Sequence, residues 1–203
     1  MDTVKNSNEL ADIFGTFFTA AFHMILYTRE IYPQQFFKRQ SLYGIQVHFC
    51  QHPEVIDYIK ELIISIQSLL AMYALDRVFF VIIKTEGIEI RPLEQYVFEI
   101  TWLTNLTSPY QIEKSILDGI FRTFLLKIPV SDYNLTSLPA NCSFEILIRT
   151  TKESGSSFSV SDESPWNAVL YEIDFETGNS SVSLLKDLEV SIFRMKFFVE
   201  KKV

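Results

Sequence analysis

Cysteine is nearly absent: Cys50 and Cys142 are the only two among 203 residues. No disulfide framework can hold this chain, and a reducing compartment is the simpler setting. Basic charge is also short, with 18 Lys and Arg against 25 Asp and Glu and a net charge of −7. Binding duplex DNA through its phosphates needs a basic surface, so direct nucleic-acid binding is not expected as the main activity. Six glycines and seven prolines exclude collagen-like and low-complexity classes. The opening residues MDTVKNSNEL hold no basic segment leading into an apolar core, so no secretory signal is expected. The sequons at Asn105, Asn134, Asn141 and Asn179 are then chance matches. Long hydrophobic runs are missing as well. The uncharged stretches Ile13–Thr28 and Leu62–Leu75 fall short of the ~18 to 20 residues a spanning helix requires, and no membrane contact is expected. No G-x-S-x-G elbow, Walker loop, H-E-x-x-H or G-x-G-x-x-G occurs, and no pair of carboxylates has a spacing that specifies acid–base work. An enzyme is not expected.

What is present is enough apolar material for a core: 48% hydrophobic residues against 21% charged. Residues 9–31 carry apolar side chains at 10, 13, 14, 17, 18, 21, 22, 25 and 26, a helical rhythm with a wide face, ended by Pro33. A face that wide predicts a helix covered on most sides. A second helix opens near Pro53-Glu54, with the stripe Ile56, Ile59, Leu62, Ile63, Ile66, Leu69 and Leu70. A third runs from about Tyr110 to Lys127. The run Arg77–Lys84 is rich in β-formers and reads as an interior strand, with Glu94–Trp102 as its partner across the turn chemistry of TEGIEIRP. Cys142–Thr151 alternates as a strand, and Leu188–Val199 reads as a final strand whose apolar phase changes between Ile192 and Phe193, predicting a bulge or an edge. Three helices on a mostly antiparallel sheet make an α+β domain.

The composition shifts after Thr151. Six serines and a glycine fill residues 154–164, followed by Pro165-Trp166. Residues 152–189 hold eight acids and two bases, so −6 of the net charge lies there, while the last fourteen residues are net +3. This segment reads as polar, acidic and mobile. A Trp directly after Pro in such a segment fits an interface anchor, with a core plug as the alternative. His48, Cys50 and His52 are zinc-ligand types that period two places on one side of an extended segment, but no fourth ligand lies nearby; no metal and no cofactor are expected. Eighteen phenylalanines raise the alternative of a lipid or apolar-ligand binder, but the helical spacing of most N-terminal ones favours core packing.

The string HMILYTREIYPQQFFKRQSLYGIQVHFCQHPEVIDYI at residues 23–59 resembles the HORMA-domain accessory subunits of DNA polymerase zeta, the B branch of the mitotic-checkpoint-like paralogues. Further matches are VFEIT at 97–101, FRTFLLKI at 121–128, PANCSFEILIRT at 139–150, PW at 165–166 and RMKFFVE at 194–200, in order and at comparable spacing. The resemblance implies a single HORMA domain over residues 1–203: a core at 9–151, then a safety belt and final strand at 152–203. It implies a non-enzymatic adaptor that holds a peptide of the polymerase zeta catalytic subunit under the belt and supports translesion synthesis; the protein's expected location is the nucleus, with the cytoplasm as an additional one. The alternative within the family is a spindle-checkpoint regulator acting on anaphase-promoting complex activators.

Residue by residue, the resemblance places Tyr32, Arg39, Tyr58, Phe144, Leu147 and Trp166 at peptide-contacting positions. Phe144 equally fits a core role on the apolar face of its strand, whereas Leu147 lies on the opposite, mixed face. Arg122 matches a HORMA–HORMA dimer contact, with a plain solvated charge as its other reading. Val182, Lys196 and Phe198 fall where the family docks a Y-family polymerase scaffold; the family carries Leu, Gln and Tyr there, so this chain departs at all three. An AAA+ remodeller is a further partner that the resemblance raises.

Overall fold

A helix that is apolar around most of its circumference has to be enclosed, and the architecture is organised around one such helix. The computed structural model describes residues 3–86, 89–103, 110–151 and 180–202. In chain order they form β1 (Thr3–Val4), α1 (Ser7–Thr28), β2 (Phe37–Leu42), β3 (Ile45–Cys50), α2 (Pro53–Ala71), β4 (Leu75–Glu86), β5 (Glu89–Trp102), β6 (Ile112–Glu113), α3 (Lys114–Leu125), α4 (Lys127–Ser131), β7 (Cys142–Thr150), β8 (Ser180–Glu189) and β9 (Phe193–Lys202). An antiparallel sheet of order β7-β4-β5-β9-β8 carries the helices on one face. Two small ladders, β1-β6 and β2-β3, lie apart from it.

The Asn6 side chain starts α1 by accepting from the Glu9 N–H, while the Glu9 carboxylate accepts from the Lys5 N–H. This exchange satisfies donors that the first turn leaves without partners. Phe14, Phe17, Phe18 and Phe22 of α1 are all fully buried. Phe17 stacks on Phe121 of α3 with centroids 4.5 Å apart, and Phe18 meets Phe98 of β5 edge-on at 5.5 Å. Phe98 in turn stacks on Phe197 of β9 at 4.4 Å, so one aromatic column joins α3, α1 and the middle of the sheet. The uncharged run seen in the sequence begins at Ile13, but the helix begins at Ser7, and its 22 residues are long and apolar enough to cross a membrane. In the fold, 72% of that apolar window is buried against the rest of the protein, and its apolarity serves the core.

The expected final strand is two strands. Leu188 and Glu189 close β8, and Phe193 opens β9. Between them Val190 donates to the Phe193 carbonyl at 2.8 Å, and Leu103 donates to that of Ile192 at 3.0 Å. The change of apolar phase marks a tight reversal, and the last ten residues of the acidic segment are a strand rather than a mobile tail. The turn expected at TEGIEIRP is also shorter than that string: Pro92 lies inside β5 opposite Ile83, beside a register shift between Ile82 and Ile83, a bulged site where a missing N–H is tolerated. The β2-β3 hairpin, turning at Tyr43 and Gly44 with φ of 51° and 72°, lay unread within the string at 23–59.

Two buried polar groups tie the elements together. The Arg29 guanidinium at the end of α1 donates twice to Glu94 of β5, both at 3.0 Å, and also to Asp132 and to the Thr136 carbonyl. His23, 4% exposed, accepts the Cys50 N–H on Nδ1 at 3.2 Å and so holds β3 against α1. Burial lowers the His23 pKa to about 4. Folding therefore favours the neutral ring: its contribution is complete above the unfolded pKa of about 6.5 and is lost as pH falls towards 4. Chemical denaturation is expected to show on the order of 3 kcal/mol of stability lost across that window, with the His23 share of the loss missing in His23→Gln.

Candidate functional site

Strand β7 is one edge of the sheet, and among the described residues no strand pairs with its outer side. Its inner side bonds β4 from Leu75↔Thr150 to Lys84↔Cys142. The Ile146 N–H points outward, donating to the Tyr58 hydroxyl of α2 at 3.2 Å. Strand alternation then turns the main-chain groups of Phe144 and Ile148 to the same open side. An exposed row of this kind is a template for an added strand.

Beside this edge lies a hollow of about 200 Å³ lined by Tyr32, Glu54, Val55, Tyr58 and Phe144. Tyr32 reaches it from the connection after α1, where Glu30 takes a φ of 53° and reverses the chain before Pro33. Tyr58 reaches it from the second turn of α2, and Phe144 from β7. Phe144 stacks on Phe80 at 5.1 Å and meets Tyr58 and Tyr32 edge-on at 5.6 and 6.4 Å. Burial raises the pKa of Tyr32 and of Tyr58, so both phenols keep their protons at neutral pH. The site offers main-chain donors and acceptors, an aromatic wall and one rim carboxylate, Glu54. Among the described residues no three His, Cys, Asp or Glu side chains are placed to hold a metal. Chemically, such a set can pair with an extended main chain.

Three of the residues singled out in the sequence, Tyr32, Tyr58 and Phe144, thus line one hollow. Glu54 and Val55 were missed, although Glu54 was visible as the early acid of α2. Arg39 stands apart on the β2-β3 hairpin, where its Nε donates to His48 Nε2 at 3.1 Å; His48 stacks flat on Tyr27 at 3.7 Å. Trp166 lies outside the described residues. Arg122 is exposed on the last turn of α3, near the turn at Gly44. A larger hollow of about 620 Å³ next to Arg29 and Asp132 runs along the chain before β7 to its first residue, Cys142, and the Arg29 guanidinium on its wall is already committed to Glu94 and Asp132.

Leu147 points to the sheet face opposite the helices, with Phe79, Val81 and Ile83. Register aligns Leu147, Phe79, Val97, Phe198 and Leu184 in one row across all five strands. The next row is charged: Arg149, Arg77, Glu99, Lys196 and Asp187, within which Lys196 bonds Glu99 at 3.2 Å. Val182, 59% exposed, lies one step along β8 from Leu184 on the same face. Val182, Lys196 and Phe198 therefore share one side of the C-terminal hairpin, and Leu184, 62% exposed, joins them.

The HORMA domain family matches residues 11–119. The mitotic spindle assembly checkpoint protein MAD2B of Rattus norvegicus is 31% identical over 196 residues, covering 95% of this chain and 91% of that protein. The DNA polymerase zeta processivity subunit of Arabidopsis thaliana is 28% identical over 158 residues, covering 75% and 71%. Among solved structures, a chain of the mitotic checkpoint complex superposes with a TM-score of 0.73 at 20% identity, covering 96% of this chain and 99% of that one. HTP-2 of C. elegans bound to the HIM-3 closure motif gives 0.70 at 11% identity, covering 98% and 93%. These two establish the fold.

Phe144 faces the hollow and the core at once, so its truncation removes packing against Phe80. Phe144→Ala is expected to cost about 3 kcal/mol of folding stability, whereas Tyr32→Ala, at the rim, costs under about 1.5 kcal/mol. Urea denaturation of both variants reads the difference.

Proposed function

The chain belongs to the HORMA-domain family, and from that premise we propose that it is a non-enzymatic adaptor that captures an extended segment of the catalytic subunit of DNA polymerase zeta along the free edge of β7. The observation that carries this reading is the β7 edge, which pairs with no outer strand among the described residues, beside the Tyr32–Tyr58–Phe144 hollow. A relative named as a DNA polymerase zeta processivity subunit supports the choice of partner. Main-chain bonds supply affinity and the hollow supplies side-chain selection. In this reading the adaptor works in the nucleus, supports translesion synthesis and touches DNA only through its partner. The safety belt and final strand assigned to residues 152–203, with the Trp166 anchor, belong to the same proposal; residues 152–179, Trp166 among them, lie outside the described residues, and the chain leaves the sheet at the β7 edge and rejoins it at the opposite edge, on β8.

Two contacts complete the proposal. Arg122, exposed with Ile116 on α3 and with Leu126 just after it, is assigned to a contact with a second HORMA domain. The Val182–Lys196–Phe198 face is assigned to a Y-family polymerase scaffold. A checkpoint reading, in which the edge takes a segment of an anaphase-promoting complex activator, draws support from the MAD2B relatives, which are named as spindle assembly checkpoint proteins.

Calorimetry of the purified chain against peptides tiling the polymerase zeta catalytic subunit, and against activator peptides, separates the readings. A polymerase segment is expected to bind and the activator peptides to stay silent; the reverse result installs the checkpoint reading. Tyr58→Ala is expected to cost about 2 kcal/mol in binding, the range of a desolvated aromatic anchor. Because ladder and apolar contacts dominate, affinity should fall only modestly as salt rises, and a steep loss would contradict capture by strand addition.

A further inference from the structure

The outward N–H of Ile146 is already occupied. The Tyr58 oxygen lies 3.2 Å from it, and a ladder carbonyl oxygen would lie about 2.9 Å from the same nitrogen. Two oxygens cannot share that site, so an added strand cannot pair with Ile146 while Tyr58 stays in place. Tyr58 is well held: it projects from α2, which begins at Pro53, and its ring packs edge-on against Phe144 at 5.6 Å. A phenol that accepts one hydrogen bond still has its own O–H to give, and among the described residues the Tyr58 O–H donates to no protein acceptor.

We infer that Tyr58 is a register pin: its hydroxyl holds a captured strand off β7 at Ile146, so that the strand bulges there by one residue and accepts the Tyr58 O–H on a main-chain carbonyl, while Phe144 and Ile148 bond the strand directly. The inference rests on the reading of β7 as the capture edge. An extended edge with equivalent sites every second residue allows a partner to slip by two, because register is weakly specified by main-chain bonds alone. A fixed interruption removes that freedom, since only one register places the bulge opposite the pin. It also sets which side chain meets the hollow next to Phe144. Tyr58 thereby acts on specificity through its hydroxyl, separately from the contact area of its ring.

Residue-level amide exchange on the full chain tests the pin before any peptide is added. In the wild-type protein the Ile146 amide is expected to exchange about tenfold more slowly than those of Phe144 and Ile148. In Tyr58→Phe, which keeps the ring, that protection should fall to the level of its neighbours. An Ile146 amide that exchanges as fast as its neighbours in the wild type, or one whose protection survives in the variant, overturns the inference. The second arm uses the tightest polymerase zeta peptide from the calorimetric tiling, and the same peptide with one residue removed at each position in turn. In the wild type, the intact peptide should protect Phe144 and Ile148 and leave Ile146 unchanged. One deletion, at the bulge, should weaken binding about tenfold to the wild type and markedly less to Tyr58→Phe. Equal penalties in both proteins overturn the pin. If peptide binding protects neither Phe144 nor Ile148, the capture edge itself is wrong, a failure visible whatever Tyr58 does.

Discussion

The docking of β9 on β5 is the contact from which the rest of the site follows. Nine consecutive pairs, from Glu94↔Lys201 to Trp102↔Phe193, commit the C-terminal hairpin to one side of the sheet. An open sheet has two edges. With β8 and β9 added beyond β5, β7 becomes the other edge, and among the described residues no strand takes up its outward groups. The hairpin is held there by apolar side chains on the helix side, where Phe193, Met195, Phe197 and Val199 are buried, and by Lys196 donating to Glu99 of β5 on the other. Availability of the β7 edge is thus a consequence of the packing of β9, three strands away.

The helical layer fixes the frame on which this edge sits. The aromatic column through Phe121, Phe17, Phe18, Phe98 and Phe197 fixes α1 and α3 against the sheet, and aromatic pairs of this kind each contribute about 0.5–1.5 kcal/mol beyond area burial. Arg29 adds directional constraint, because its bonds to Glu94, Asp132 and the Thr136 carbonyl hold the end of α1 and the chain before β7 to β5. Burial raises the Glu94 pKa while the guanidinium opposes it, so the pair belongs together in the interior or not at all. The connection carrying Tyr32 leaves from this anchored end, so the position of Tyr32 over Phe144 inherits the same constraint.

Much of this organisation was legible in the residues because period decides which side of an element is buried. The wide apolar stripe of α1, the stripe of α2 from Ile59 to Leu70 and the run Arg77–Lys84 each carry a periodicity that only one kind of element satisfies. The hairpin at β2-β3 escaped because its side chains at Lys38, Arg39, Gln40 and Ser41 are all exposed, so no buried face imposes alternation. The split between β8 and β9 escaped for a different reason. A tight reversal and a bulge leave the same mark in a sequence, a slip of apolar phase, and only the bond from Val190 to the Phe193 carbonyl separates them.

The site divides in the same manner. Tyr32, Tyr58 and Phe144 could be named from their family positions, since each is a local match of residue type and spacing. Their meeting around one hollow, the addition of Glu54 and the removal of Arg39 to a separate hairpin required the fold. So did the bond between Tyr58 and Ile146, which joins residues 88 positions apart. Sequence by itself determined the type of the strongly periodic segments, α1, α2 and β4, and which of the helix faces are apolar, because those depend on neighbours three or four residues, or two residues, away. Which strand is left at the edge, and which side chain stands at its open donor, depend on pairings between distant segments, and those were decided only when the chain closed on itself.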